Sequence, residues 1–185
     1  IIENYRELRK HLSAHGVVFK SETDTEVLPN LIAHYYQGDL EKAVQKALID
    51  VEGTFGIAVL SVNHPDTIVA ARKGSPLIVG VGEDEMFIAS DVSAVVAYTR
   101  NVIYLEDNEM VTVKRDMYKT TTIASEEIEK KIHTVDWDVE KIEKGGYDHF
   151  MLKEIFEQPD TIENAFRGRL IDDGATIKLG GLNLT

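Results

Sequence analysis

Apolar residues recur every three or four positions in the first fifty residues, and every second position after residue 54. Ile1, Tyr5, Leu8 and Leu12 line one face of a predicted first helix, ended by Gly16. Val17-Val18-Phe19 reads as a short strand. Val27, Leu28, Leu31, Ile32 and Tyr35 make the stripe of a second helix, expected to begin near residue 24 and run to about Gln37, with Gly38 as its stop. Leu40, Ala43, Val44, Ala47, Leu48 and Val51 make the stripe of a third, starting near Asp39 and closed by Gly53. The second and third helices are joined by almost no loop, so they are expected to pack as neighbours.

Phe55–Val62 is apolar at odd and even positions alike, the pattern of a strand buried on both sides. Ile68–Ala71, Leu77–Val81, Met86–Ala89, Val102–Leu105, Met110–Val113 and Tyr118–Ile123 follow as short strands. Turn residues separate them: Asn63-His64-Pro65-Asp66, Lys73-Gly74-Ser75-Pro76, Glu83-Asp84-Glu85 and Glu106-Asp107-Asn108. Short connections imply antiparallel pairing, and a block of helices followed by a block of strands implies an α+β fold. A doubly buried strand needs cover on both faces, from helices or a second sheet. Residues 124–148 are polar and carry no clear period, and Gly145-Gly146 reads as a hinge. Phe150–Phe156 is expected to be helical, broken near Pro159, with another helix over Thr161–Phe166.

Composition narrows the class. The chain has 185 residues, enough for one real core, and 43% of them are hydrophobic. A net charge of −12 leaves no basic stripe for phosphates, so nucleic acid is not an expected partner. No apolar run approaches the roughly 18 residues of a membrane span, and no signal peptide is visible. There is no cysteine, which excludes disulfides and thiolate metal sites. A cytoplasmic setting is expected. The start inside a helical pattern and the end at Leu184-Thr185 read as those of an internal piece of a longer protein.

Ser21-Glu22-Thr23-Asp24-Thr25-Glu26-Val27 is the most informative stretch. Thr23 with Glu26 fits a capping box, and Ser21 with Asp24 fits the same pattern earlier. In either case Asp24 falls where a helix dipole favours an anion. Two readings stay open: a carboxylate that only helps start the helix, or one that receives a ligand ammonium.

The other constellations are weaker. His11 and His15, four apart on a helix, are half a metal site without an acidic or cysteine partner nearby, and the structural reading is preferred. Gly80-Val81-Gly82 lacks the third glycine of a dinucleotide loop and is followed by acids, so a hairpin turn is expected. Ser75 sits in Gly-Ser-Pro, which is no nucleophile elbow. Arg72 and Lys73 read as a solvated turn, Ser90-Asp91 as a helix cap, and Arg167-Gly168-Arg169 as surface charge.

The 21–27 segment resembles the glutamine-hydrolysing half of the glucosamine-6-phosphate synthase family (glutamine–fructose-6-phosphate aminotransferases). Further stretches resemble that family in order: Ile1-Ile2-Glu3-Asn4-Tyr5; His64-Pro65-Asp66-Thr67 with Ala70–Leu77; Phe87-Ile88-Ala89-Ser90-Asp91; and His149–Pro159, which is similar to the joint leading to the sugar-isomerising half. The resemblance implies a four-layer αββα sandwich of the N-terminal-nucleophile hydrolase type, incomplete here with its N-terminal strands missing. It implies residues 1–140 as the C-terminal part of a class II glutamine amidotransferase domain, and 141–185 as a linker to an absent isomerase domain.

In that family an amino-terminal cysteine attacks the amide of L-glutamine to form a thioester, and an Asn-Gly pair stabilises the oxyanion. The ammonia released converts fructose 6-phosphate to glucosamine 6-phosphate. The aspartate of the motif, here Asp24, holds the α-ammonium of glutamine. The resemblance implies no cofactor and no metal, and a homo-oligomer is expected. The departure is the nucleophile: with no cysteine, and with the Asn-Gly pair expected before Ile1, the chain alone is expected to be inactive. The alternatives are another class II amidotransferase, such as the one that makes phosphoribosylamine, or a non-catalytic amino-acid-binding regulatory module. The Lys153–Pro159 joint argues against the first.

Overall fold

The computed structural model describes residues 1–136 and 145–166. They fall in two units, the first spanning Ile1–Asp136 and the second lying within Trp137–Thr185.

Three helices open the first unit: α1 (Tyr5–Ala14), α2 (Val27–Tyr35) and α3 (Leu40–Ile49). Each is shorter than the sequence pattern suggests. Ile1 lies outside α1 and is 83% exposed, whereas Ile2 is buried and forms an isolated bridge with Gly53. Residues 17–19 form no strand; Phe19 instead packs beneath the guanidinium of Arg9. Helix α3 starts as expected, with the Asp39 carboxylate accepting the Lys42 amide at 3.0 Å. Gly53 does not close α3, which ends at Ile49.

Among the described residues eight strands form two antiparallel sheets. The first has the order β1 (Phe55–Ser61), β2 (His64–Lys73), β6 (Glu109–Val113), β7 (Tyr118–Thr122). The second has the order β4 (Met86–Ala89), β3 (Ile78–Val81), β5 (Asn101–Tyr104), β8 (His133–Thr134). All pairings are antiparallel, as the short connections require. The β3–β4 hairpin turns over Gly82–Glu85, with Asp84 at φ 57°, which accounts for the two-glycine run as a turn.

The strand expected to be doubly buried is an edge. Gly56, Ala58 and Leu60 on one face of β1 are exposed, Leu60 to 74%. The continuous apolar run arises because the open face carries Gly56, Ala58 and the exposed Leu60. The doubly covered strands are β2 and β6. Val69 and Ala71 of β2 and Met110 of β6 face the helices, within a core that includes Leu12, Val27, Leu31 and Val44. Ala70, Val111 and Val113 face the other way, against Leu77, Val79, Ile103 and Leu105 of the second sheet and its flanks. Alternate residues of one strand therefore serve different cores.

The outer face of the second sheet is covered by residues 91–99. Val92, Val95 and Val96 are buried there, and the Thr99 hydroxyl donates to Val81 O at 2.6 Å. Asp91 caps this segment through the Ser93 amide, as expected, although the helix it starts is only a 3-10 turn over Val92–Ala94. The layers run helices, sheet, sheet, short cover, which is the α+β sandwich expected.

Glu109, at the start of β6, is buried, and its carboxylate lies 2.6 Å from Lys130 Nζ and accepts the Glu106 amide at 2.6 Å. Among the described residues of the second unit one uninterrupted helix, α4, spans Phe150–Phe166 with Pro159 inside it, where a break was expected. Proline removes one amide from the ladder. One turn on, the Thr161 hydroxyl bonds back to Glu157 O and Gln158 O at 3.1 and 3.0 Å, away from the Ile155 carbonyl that the proline leaves without its amide.

Candidate active-site cavity around Asp24

Asp24 is not in the first turn of α2, which begins at Val27; it lies three residues before it. The capping box is not formed. Glu26 does reach back, but past Thr23: its carboxylate accepts the Lys20 and Ser21 amides, each at 2.7 Å, and the Ser21 hydroxyl at 2.5 Å. The Thr23 hydroxyl pairs with Ser21 Oγ at 2.8 Å. Glu26 therefore fastens the preceding loop to the helix, and the Lys20 amide foremost holds its carboxyl below the usual carboxylate range.

The partner of Asp24 comes from far away in sequence. The Ile2 amide donates to Asp24 Oδ2 at 2.7 Å, and the Thr25 hydroxyl makes a long contact of 3.3 Å with Oδ1. The Ile2 bond, opposed by partial burial, holds the Asp24 carboxyl below the ordinary range, so it is ionised at neutral pH. Among the described residues no cationic side chain forms an ion pair with it.

Asp24 opens on a cavity of about 580 Å³ lined by Ile1, Ile2, Glu3, Tyr5, Glu22, Thr23 and Asp24. Three of the lining side chains are carboxylates and none is basic. Such a lining attracts an ammonium group. It supplies no basic side chain for a carboxylate.

The remaining candidates fall elsewhere. Arg72 is structural: it donates to Leu105 O at 2.8 Å and pairs with Asp107 at 3.0 Å, partly buried rather than in a solvated turn. His11 and His15 gain a third ring that the sequence pattern did not suggest, His34 of α2, with ring centroids 4.5, 5.0 and 5.7 Å apart. Among the described residues no group of three or more His, Cys, Asp or Glu is placed to hold a metal ion. Also among them, no helix is long and apolar enough to cross a membrane. Arg167-Gly168-Arg169 lies outside the described residues.

A family model described as a glutamine amidotransferase domain matches residues 1–97. The chain is 50% identical over 185 residues to the isomerizing glutamine–fructose-6-phosphate aminotransferase of Caldanaerobacter subterraneus subsp. tengcongensis, covering all of this chain and 30% of that protein. It is 49% identical over 187 residues to the enzyme of the same name from Chlorobaculum tepidum, covering 99% of this chain and 30% of that one. The chain thus spans about 30% of the length of the curated relatives it matches. Among solved structures it is similar to glutamine phosphoribosylpyrophosphate (PRPP) amidotransferase from B. subtilis, solved with ADP and GMP. The TM-score is 0.57 at 24% identity, over 66% of this chain and 27% of that one. These likenesses agree with an α+β sandwich of the N-terminal-nucleophile hydrolase type.

Proposed function

Because the chain belongs to the glutamine amidotransferase domain family, we propose that it forms part of the glutamine-hydrolysing half of a glutamine–fructose-6-phosphate aminotransferase, with Asp24 receiving the α-ammonium of L-glutamine. The observation that carries this reading is the Asp24 carboxylate itself: ionised, steered by the Ile2 amide, and lining an acidic cavity. Half the residues of the chain are shared with enzymes of that name along its whole length, which supports the acceptor being fructose 6-phosphate. PRPP amidotransferase shares the fold at 24% identity, too little to favour phosphoribosylamine synthesis.

Cleaving the glutamine amide to glutamate and ammonia needs a nucleophile, and these 185 residues contain no cysteine to supply a thiol. The role of this chain is to hold the amino end of the substrate. A charge-assisted hydrogen bond from the ammonium to Asp24 fixes one end of glutamine, so that its amide is presented at a defined distance from the reacting thiol. The sugar phosphate binds a separate domain, and the assembly is a cytoplasmic homo-oligomer.

Asp24→Asn keeps the size of the side chain and removes its charge. In the full-length enzyme it is expected to lower kcat/KM for glutamine about 10- to 100-fold, the usual worth of a hydrogen bond to a charged group. Wild-type kinetics in that variant would reduce Asp24 to a loop-fastening role. The chain alone is expected to release no ammonia from glutamine, and measurable release would overturn the assignment of the nucleophile to another segment. The acidic lining around Asp24 also fits a second reading, an amino-acid-binding module without hydrolysis. That reading requires glutamine binding by the full-length protein with no turnover.

A further inference from the structure

The Ile2 amide is the group that aims Asp24, and it is itself held by a clamp between two distant stretches of chain. Residues 1–4 lie alongside residues 50–54. The Ile1 nitrogen donates to Thr54 O at 2.8 Å, and the Thr54 amide returns a bond to Ile1 O at 3.0 Å. The Glu3 amide donates to Glu52 O at 2.8 Å. The Asn4 side chain closes the clamp from both of its ends: Nδ2 donates to Asp50 O at 2.8 Å, and Oδ1 accepts the Glu52 amide at 3.0 Å. The Ile2 side chain, 2% exposed, is sunk in the helical core, so its backbone can only present the amide outward.

Gly53 sits at the centre of this clamp, opposite Ile2. Its φ is +128°, a conformation that side chains disfavour, and a Cβ there would stand 2.2 Å from Ile1 O and 3.1 Å from Glu3 N. Any other residue must push residues 1–3 away. Among the described residues no cationic side chain pairs with Asp24, and beside the Ile2 amide it has only weaker help from Thr25 and the Ile1 ammonium. Displacing Ile2 therefore removes the short bond that orients the carboxylate.

We propose that Asn4 and Gly53 are positioning residues for the amine-binding carboxylate: they fix residues 1–4 so that the Ile2 amide occupies Asp24 Oδ2 and leaves Oδ1 for the ligand ammonium. This rests on the reading of Asp24 as the glutamine-binding group. It assigns a substrate-affinity role to a helix-entry asparagine and to a glycine that follows α3 in the chain.

The test joins kinetics on the full-length enzyme with a titration on this chain that needs no substrate. Asn4→Ala removes two hydrogen bonds and adds no bulk; Gly53→Ala forces residues 1–3 outward; Glu52→Ala is the control, because Glu52 contributes only backbone groups to the clamp. In Asn4→Ala and Gly53→Ala the KM for glutamine is expected to rise about tenfold, as about an ångström of displacement can cause, with a smaller change in kcat. Glu52→Ala is expected to match wild type, and Asn4→Asp, which keeps the acceptor for the Glu52 amide, to fall between.

In carbon-detected NMR, the Asp24 carboxyl of folded Asn4→Ala is expected to titrate at higher pH than in the wild-type chain, and the Ile2 amide to lose its exchange protection. A role in stability alone would lower the melting temperature and leave that titration in place. If wild type binds glutamine, and Asn4→Ala keeps both the wild-type KM and the wild-type titration, the positioning role is refuted. Should Gly53→Ala fail to fold, Asn4→Ala and Asn4→Asp decide. If the titration moves but wild type does not use glutamine, the clamp stands and the glutamine reading falls.

Discussion

Lys130→Met tests the ion pair beneath the first sheet. The Glu109 and Lys130 side chains are 8% and 13% exposed, with 2.6 Å between the charged atoms. At an effective dielectric of about 20 that separation gives roughly 6 kcal/mol of attraction, offset by several kcal/mol of lost hydration for each ion. The pair as a whole is therefore worth little. Removing the lysine alone is different, because it leaves a buried carboxylate with only the Glu106 amide for company. The usual cost of orphaning such a charge is about 3–5 kcal/mol, and the surviving amide bond and residual exposure put this case near 2–3 kcal/mol. For a unit of this size that lowers Tm by roughly 6–15 °C. Replacing both residues by methionine removes the charge and its partner together and leaves the Glu106 amide unpaired, costing about 1 kcal/mol. Urea unfolding of wild type, both single variants and the double variant closes a double-mutant cycle. A Lys130→Met variant within about 0.5 kcal/mol of wild type, or a double variant as unstable as the sum of the singles, would refute this account of the pair.

Three further outcomes follow from the packing and charges described above. Leu31→Ala, at a 1% exposed site under α2, is expected to cost about 2–5 kcal/mol by chemical denaturation, with Leu12→Ala similar and Leu60→Ala, on the open face of β1, nearly neutral. The carboxyls of Asp24 and Glu26 have folded values below their unfolded ones, so the unfolded chain takes up protons first as pH falls. Their contribution to stability is fully present above the unfolded carboxylate values, about pH 4 to 5, and is lost as pH drops through the lower folded values. Thermal melts between pH 7 and pH 2 check the sign: a rise in Tm on acidification would refute it. Ala58→Lys on the open edge strand is expected to reduce any self-association seen by sedimentation without lowering Tm, since Ala58 is exposed and Lys edges discourage strand pairing.

The helices and most strands were legible because their apolar periods are strong. Leu40, Ala43, Val44, Ala47 and Leu48 are all buried on α3, and six strands fall within a few residues of the predicted runs. What misled was local chemistry with more than one solution. Glu26 meets the requirement of a capping box yet spends its oxygens on Lys20 and Ser21. The run Phe55–Val62 is apolar throughout, but hydrophobicity does not say whether a strand has one neighbour or two. Pro159 signals a break, yet helix α4 runs through it. At the site, Asp24 was identifiable from its motif. Its partner was not, because an amide donor has no residue identity to read, and the contact spans 22 positions. His34 joins His11 and His15 only through the packing of α2 on α1, which no local pattern encodes.

Strand β2 carries one more consequence. Ala70 and Ala71 are both fully buried, yet one faces the second sheet and the other faces the helices. Neighbours in the chain are therefore strangers in the fold. A substitution drifting into position 70 is judged by Leu77, Ile103 and the spacing of the sheets, and one at position 71 by the helical core that steadies Ile2 and the loop before α2. Adjacent positions answer to separate cores, and only the second of them is tied to the surroundings of Asp24.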